Sequence, residues 1–491
     1  MNPILATFIC AVGIAGLFYL DRDKTVRTSR ALWLPIIWIA LAGSRSLSAW
    51  LSARAWYNVD PDSSPLDVAV FLILLIGALG VLAARAKRAQ TLIVKNWPIL
   101  IYFCFCLVSV AWAYQPDVSL KRWIKAIGDL VMVLVVLTDR EPMSALTRLT
   151  SRLGFLMLPT SVLLIKYFPE LGRGYTPDGI QMNTGVSADK NMLGVILLVI
   201  ALCTLWRTIA VWRARDMANR RRHLLVQGVL LAFVLGLFWM AHSATSLACF
   251  LLGGGIIIAT SLRAFRQKPI RIHALCLTIA VAGVVAFAFG AQEAVIHALG
   301  RNSDLSGRTE IWASVIPAAP NALVGAGFEG FWNSPSVEVF QHNLSALGWW
   351  HPEDLNEAHN GYIEVYLNLG WTGICLIAAI LISGYRNGIR AFRLNPRIGG
   401  LFLAYIVVSA VYSITEAGFR MLDPMWIFLL LGATGSTGVA VGLFGRKQQK
   451  VVALRNLKTT SANTDDPERE AVFAGGGSLT TAQLARVNGP R

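Results

Sequence analysis

The sequence predicts an all-α polytopic membrane protein with about 13 transmembrane helices (12 to 14) and one large periplasmic loop. Three observations carry that prediction. Hydrophobic residues make up 55% of the 491 positions, with 16 tryptophans, and mean hydropathy is +0.55, so too little polar surface exists to cover a soluble globule of this size. Apolar runs of spanning length follow one another along the chain. Lys and Arg gather in alternate connections between those runs, the pattern of topology signals. The net charge of +16 therefore faces anionic lipid headgroups, and nucleic acid is not an expected partner.

Taken in order, the runs lie near 3–20, 31–51, 66–84, 98–114, 122–138, 151–168, 191–206, 224–241, 246–262, 272–290, 359–382, 399–415 and 424–443. The first lacks a basic leader and an obvious cleavage site, which makes it a first helix rather than a removed signal. Basic connections follow it in alternation. The first holds Arg22, Lys24, Arg27 and Arg30, and the next Arg85, Lys87, Arg88 and Lys95. Arg140, Arg148 and Arg152 share the third, Arg207, Arg213, Arg215 and Arg220 to Arg222 the fourth, Arg263, Arg266, Lys268 and Arg271 the fifth, and Arg386, Arg390, Arg393 and Arg397 the last. By the positive-inside rule these are cytoplasmic, which puts the N-terminus and the long loop outside and the C-terminus inside. The expected organisation is N-terminal helices over 1–290, a large loop over 291–358, C-terminal helices over 359–443 and a disordered tail over 444–491, rich in Thr, Ser, Asn and Gly. The seven cysteines sit in apolar runs, none of them in the loop, which argues against a disulfide framework or a metal site. No cofactor is expected.

The loop concentrates charge, amide and imidazole where a membrane protein has least of them. It is far longer than ordinary connections. Basic residues that disobey the topology gather at the same outer level: Lys121, Arg122 and Lys125 open the fifth run, Lys166 and Arg173 follow the sixth, Lys190 opens the seventh, Arg301 and Arg308 lie in the loop, and Arg420 lies in the last outer connection. Lys121, Lys125 and Asp129 recur every four residues and share a helix face. Each cation alone can be snorkelling to headgroups; together they suggest an outward-facing basic cavity at membrane level. Such a cavity suits a polyprenyl-diphosphate-linked sugar, with its tail in lipid and its glycan outside, and Arg308 placed to neutralise the leaving diphosphate. His359 opens an apolar helix with Asn360 beside it and Glu364 just over a turn on. It can cap that helix, deprotonate a sugar hydroxyl when neutral, or bind diphosphate when charged. His342 and His351 read as ordinary loop histidines, and no spacing resembles a zinc site. His242, near Ser243, Thr245 and Ser246, is a secondary candidate. Gly325, Gly327 and Gly330 do not follow a strand, which removes a nucleotide-binding reading and leaves tight turns that fold the loop back.

The order Gly307, Arg308, Thr309, Glu310, Ile311, Trp312, then Gly325, Ala326, Gly327, Phe328, then His359, Asn360, Gly361, Tyr362, Ile363, Glu364, and finally Leu369 to Gly373 resembles the O-antigen ligase and polysaccharide polymerase superfamily, nearest its exopolysaccharide polymerase branch. Leu171 to Tyr175, together with Gly185, Val186, Lys190, Asn191, Leu193 and Gly194, extends the resemblance over roughly 110–435. It implies a metal-independent inner-membrane glycosyltransferase that moves a glycan from undecaprenyl diphosphate to an acceptor hydroxyl. It also puts the family's essential loop arginine and histidine on Arg308 and His359. One departure is Ala244, between His242, Ser243 and Thr245, where many relatives carry Arg or Lys; Lys190, Arg173 or Arg420 would then supply the missing charge.

The expected function is a polymerase of undecaprenyl-diphosphate-linked repeat units, inverting at the anomeric carbon. His359 and Arg308 are the catalytic candidates, and Lys190, Arg173, Arg420, Asn360, Lys125, Asn191 and Glu364 the binding candidates. Its partners are the lipid-linked donor, a glycan acceptor, the bilayer and possible further assembly proteins. The rivals are a ligase attaching finished polysaccharide to lipid A core or protein, a transporter or lipid-linked glycan flippase, and a non-enzymatic assembly subunit. A transporter would spread its polar groups through the midplane.

Overall fold

The computed structural model describes residues 2–23, 26–52, 64–175, 179, 181–214, 219–268, 270–278, 306–349 and 355–444. The tail 445–491, most of the 272–290 run, and Lys24, Arg215, Arg301 and His351 lie outside them. Residues 1–441 form one compact unit and 442–491 a second, of which only the first three residues are described.

The protein is a mostly helical, multi-pass membrane protein. Among the described residues seven helices are long and apolar enough to cross a membrane: Pro3–Leu20, Pro65–Ala83, Pro142–Tyr167, Lys190–Arg213, Arg220–Ala241, Ala244–Ser261 and Gly361–Leu394. The pair Ala86–Lys95 and Trp97–Trp112, bent by 87°, has the form of a broken span or a re-entrant loop, and Arg30–Ala42, Pro396–Tyr412 and Pro424–Ala440 are shorter apolar helices. Several expected spans thus take another form. The 31–51 run stops at Ala42 and resumes as Leu47–Ser52, because Arg45 is drawn inward to the carbonyls of Leu171 and Gly185. The 122–138 run belongs to Pro116–Leu137, whose first half carries Asp117, Lys121 and Arg122 and is largely exposed, and whose second half is buried from Lys125 on, Asp129 included. A short antiparallel hairpin, Arg173–Tyr175 with Gln181–Asn183, departs from the all-helical expectation.

Packing is most extensive between Lys190–Arg213 and Arg220–Ala241, and between Gly361–Leu394 and the two helices that follow it. Trp38, Trp426, Tyr405, Phe155, Phe402 and Phe428 are fully buried in this core.

The described part of the long loop has a core of its own. Helices Ser306–Val315 and Ser336–Ala346 enclose Ile311, Val315, Phe331, Phe340 and Leu344, and Leu367 of the following helix joins them. The loop rests on the 109–122 segment: Phe328 N–H donates to Ser109 Oγ at 3.0 Å, and Arg122 donates to the Glu329 carbonyl at 2.6 Å.

The loop also enters the helix that follows. Gly361–Leu394 is broken at Gly370, whose φ of 62° and ψ of −162° fall outside the helical region. The groups freed by the break are taken up by residues 322–326: Trp371 N–H donates to Ala322 O (2.9 Å), Thr372 N–H to Leu323 O (3.1 Å) and Ala326 N–H to Leu367 O (2.9 Å). The two backbones lie so close that a Cβ at Gly370 would sit 2.3 Å from Leu323 C, and one at Gly325 (φ 66°) would sit 2.3 Å from Asn368 C. Among the glycines expected to make tight turns, Gly325 and Gly327 hold positive φ, while Gly330 does not. Gly370→Ala is therefore expected to destabilise the protein by about 3 kcal/mol. Thermal unfolding of detergent-purified protein tests this against Gly80→Ala, whose Cβ would meet open space; equal melting temperatures for the two variants would refute it.

Candidate active site

Three chain segments converge beside the loop. The Ser306–Val315 helix brings Arg308, the turn before Gly361–Leu394 brings Glu357 and His359, and the 413–423 connection brings Glu416 and Arg420. Asn360 fixes the second segment: its side chain accepts from Tyr362 N–H (2.9 Å) and Ile363 N–H (3.1 Å) and donates to Ile414 O (2.8 Å). This is helix capping that also ties the helix start to the third segment. Gly361 N–H adds bonds to Ser413 O and Glu416 O, at 2.8 and 2.9 Å.

Glu416 is the centre of the arrangement. Its Oε1 lies 3.0 Å from Arg308 Nη2, and its Oε2 is 3.8 Å from His359 Nδ1. Asn191 Nδ2 donates to Oε2 at 3.2 Å. Arg308 also donates to the Thr415 carbonyl. The same nitrogen meets a second carboxylate, with Glu357 Oε1 standing 2.6 Å from Nδ1. Arg420 continues the network, 3.5 Å from Glu357 Oε2 and 3.6 Å from Glu329 Oε2. Three cations and three carboxylates thus alternate through one partly buried cluster. Of the five non-glycine residues with positive φ among the described ones, Glu329, His359 and Leu422 belong here, the concentration of backbone strain expected where side-chain placement is over-determined.

Burial by itself would lower the pKa of His359, but Glu357, reinforced by Glu416, raises it from 6.5 to about 10. Burial would raise Glu357, yet the imidazole contact, then Arg420 and Arg308, bring it from 4.5 down to about 2. Arg420 is held above its ordinary value: burial opposes its charge, and Glu329, Glu364 and Glu357 outweigh that. At neutral pH His359 is therefore an imidazolium between two carboxylates. The donor atoms of Glu357, His359 and Glu416 lie within 4.8 Å of one another, close enough to share a small cation. An imidazolium has no lone pair to offer at Nδ1, and Arg308 and Arg420 already match the carboxylates, so the cluster fits an ion-pair network better than a metal centre.

A cavity of about 160 Å³ adjoins the cluster, lined by Asp189, Asn191, Glu357, Glu416, Arg420 and Asp423 among others. The sequence suggested a basic cavity, and the structure corrects that: four carboxylates and one guanidinium line it. The acids come from three stretches of chain, with Glu416 and Asp423 sharing the 413–423 connection.

The other expected residues are placed as follows. Glu364 is buried, accepting from Trp332 Nε1 at 2.9 Å and Ala358 N–H at 2.6 Å. Lys190 is the first residue of its helix, between the Asp189 cap and Asn191. Arg173 Nε donates back to Ile165 O at 2.9 Å. Lys125 is buried over the Phe71 ring, 6.0 Å from its centroid. His242 is an exposed left-handed cap; the turn it begins reaches the site through Thr245, whose hydroxyl is 3.5 Å from that of Thr415. Sequence reasoning missed Glu357, Glu416 and Glu329. Glu357, two residues before His359, was the one with a visible signal.

Residues 228–378, a stretch that includes both Arg308 and His359, match the O-antigen ligase family model. The chain is also 26% identical over 351 residues to the exopolysaccharide production protein ExoQ of Rhizobium meliloti (strain 1021), an alignment covering 69% of this chain and 76% of that one. The resemblance drawn from the loop residues is thereby borne out: the chain is similar to the O-antigen ligase family over this stretch and to a protein of exopolysaccharide production over a longer one.

Proposed function

We propose that this multi-pass membrane protein is a glycosyltransferase that polymerises undecaprenyl-diphosphate-linked oligosaccharide units at the periplasmic face of the inner membrane. A membrane enzyme of polysaccharide biosynthesis is the level supported by the family match and by the relative's part in exopolysaccharide production. The single observation that carries the reading further is the meeting of Arg308 and His359 on one carboxylate, Glu416. Two cations held side by side at an interface suit a diphosphate leaving group, since they neutralise charge that develops as the anomeric C–O bond breaks.

In this reading the acceptor hydroxyl attacks opposite the diphosphate. Its oxygen forms the new glycosidic bond with inversion, its proton passes to a site carboxylate, and undecaprenyl diphosphate departs. The cationic state of His359 favours binding of the diphosphate over deprotonation of the nucleophile. Arg420 and Asn191 hold the carboxylates that orient these two, and the cavity of hydrogen-bond acceptors beside them takes sugar hydroxyls. Lys190 and Arg173 are proposed as outlying phosphate contacts. No metal or cofactor enters the scheme. The proposed orientation has 291–358 and the N-terminus outside and the 444–491 tail in the cytoplasm.

The test uses protein reconstituted in liposomes with lipid-linked repeat units extracted from a strain lacking it. Ladders of lipid-linked polymer are expected. If repeat units stay single while finished polysaccharide passes to lipid A core, the protein is a ligase. Movement of units across the bilayer without any new glycosidic bond would establish a flippase and sink the site assignment.

A further inference from the structure

Asp129 lies in the middle of Pro116–Leu137 and is fully buried. A carboxylate at that depth is costly unless its oxygens are satisfied. Both are. Oδ1 accepts from the indole Nε1 of Trp38 at 2.8 Å, and Oδ2 accepts from the backbone N–H of Leu422 at 2.9 Å. Trp38 is itself fully buried. Leu422 has a φ of 59°, a conformation leucine keeps only where its surroundings impose it. Both of its hydrogen-bond partners are donors, a set that fits a carboxylate. An amide would offer one acceptor oxygen and bring N–H groups of its own.

Leu422 stands two residues beyond Arg420 in the connection that also bears Glu416. We propose that Asp129 is a positioning residue for the transfer site: its carboxylate, oriented by Trp38, pins the Leu422 N–H and so holds the 413–423 connection where Glu416 meets Arg308 and His359, and Arg420 meets Glu357 and Glu329. Spacing suggested that Asp129 and Lys125 line a cavity together, but neither belongs to the lining of the one beside the site. The proposal rests on transfer occurring at Arg308 and His359.

The test compares Asp129→Asn, Trp38→Phe, the double variant and Asp129→Asn/Leu422→Gly in the full chain, each checked for monodispersity. With asparagine one donor is left facing an amide N–H. Removing the indole donor frees the amide oxygen for Leu422, while glycine at 422 holds the positive φ unaided. Asp129→Asn is expected to lower kcat about tenfold with a smaller change in KM; Trp38→Phe loses less, and both double variants recover most of the Asp129→Asn loss. Hydrogen exchange of the 416–423 peptide should rise in Asp129→Asn and fall back on adding Trp38→Phe. A double variant no better than Asp129→Asn in rate and exchange would overturn the proposal, as would unchanged exchange in Asp129→Asn. Absence of transfer by wild type would sink the proposed activity, and exchange still decides the pin independently.

Discussion

Arg308→Ala is expected to lower the proposed transfer by about 10²–10³-fold, the effect of removing one preorganised donor from a developing anion. The loss has a second source in this protein. Glu416 is almost fully buried, and its Oε1 is 3.0 Å from the guanidinium; without that partner it faces the incoming diphosphate with only His359, 3.8 Å from Oε2, to offset its charge. Arg308→Lys restores charge without the fork that reaches both Glu416 and the Thr415 carbonyl, so it recovers only part of the rate. Adding Glu416→Gln to Arg308→Ala removes the stranded carboxylate, which should restore the melting temperature but not the rate. Initial rates with lipid-linked donor, set beside thermal unfolding, check both statements. Arg308→Ala protein that is folded and within about threefold of wild type would exclude the proposed role.

His359→Ala and His359→Gln should each cost about 10²-fold or more in kcat, and the pH profile says why. The folded-state pKa is raised from 6.5 to about 10. The matching stability contribution is complete below 6.5 and is lost as pH rises through about 10. Glu357 is depressed from 4.5 to about 2, so its contribution is complete above 4.5 and is lost as pH falls through about 2. The pair is therefore strongest between 4.5 and 6.5. A required imidazolium gives activity that is flat across neutrality and declines toward pH 10, with no step near 6.5. A required base gives the reverse, with activity climbing toward pH 10. Glu357→Gln removes the principal partner of Nδ1 and should draw the alkaline limb down toward neutral pH. Wild-type activity that rises steadily from pH 7 to 10 would rule out the cationic role.

Helices and charged connections were legible because apolar runs and basic clusters are local signals. So were Arg308 and His359, which stood out as polar residues in a loop too long to be a connection. Their shared partner was not legible. Glu416 reaches the two residues only after the 306–315 helix, the 355–360 turn and the 413–423 connection fold together, and no spacing rule announces a carboxylate brought from another segment; Glu357, two residues before His359, was the one partner within view. Lys125 and Asp129 show the converse. Their shared helix face was read correctly, yet the face is packed inside the protein, where Phe71 and Trp38 decide what each side chain does. Arg45 was in plain view within the 31–51 run, and its pull toward the 171 and 185 carbonyls ended the helix that hydropathy alone would have extended.

The break at Gly370 bears on how the protein is made. A continuous 34-residue helix would run about 51 Å, against a hydrocarbon thickness of about 30 Å. Residues 361–369 are surplus to a crossing and belong to the loop's own core through Leu367. During synthesis the loop leaves the ribosome before the helix it must interlock with, and the 413–423 connection follows later still. Arg308 therefore waits for His359, and both wait for Glu416. A nascent chain inserted as far as the long helix already holds the two catalytic candidates but lacks the carboxylate that joins them, so the proposed site is complete only once the last outer connection has been made.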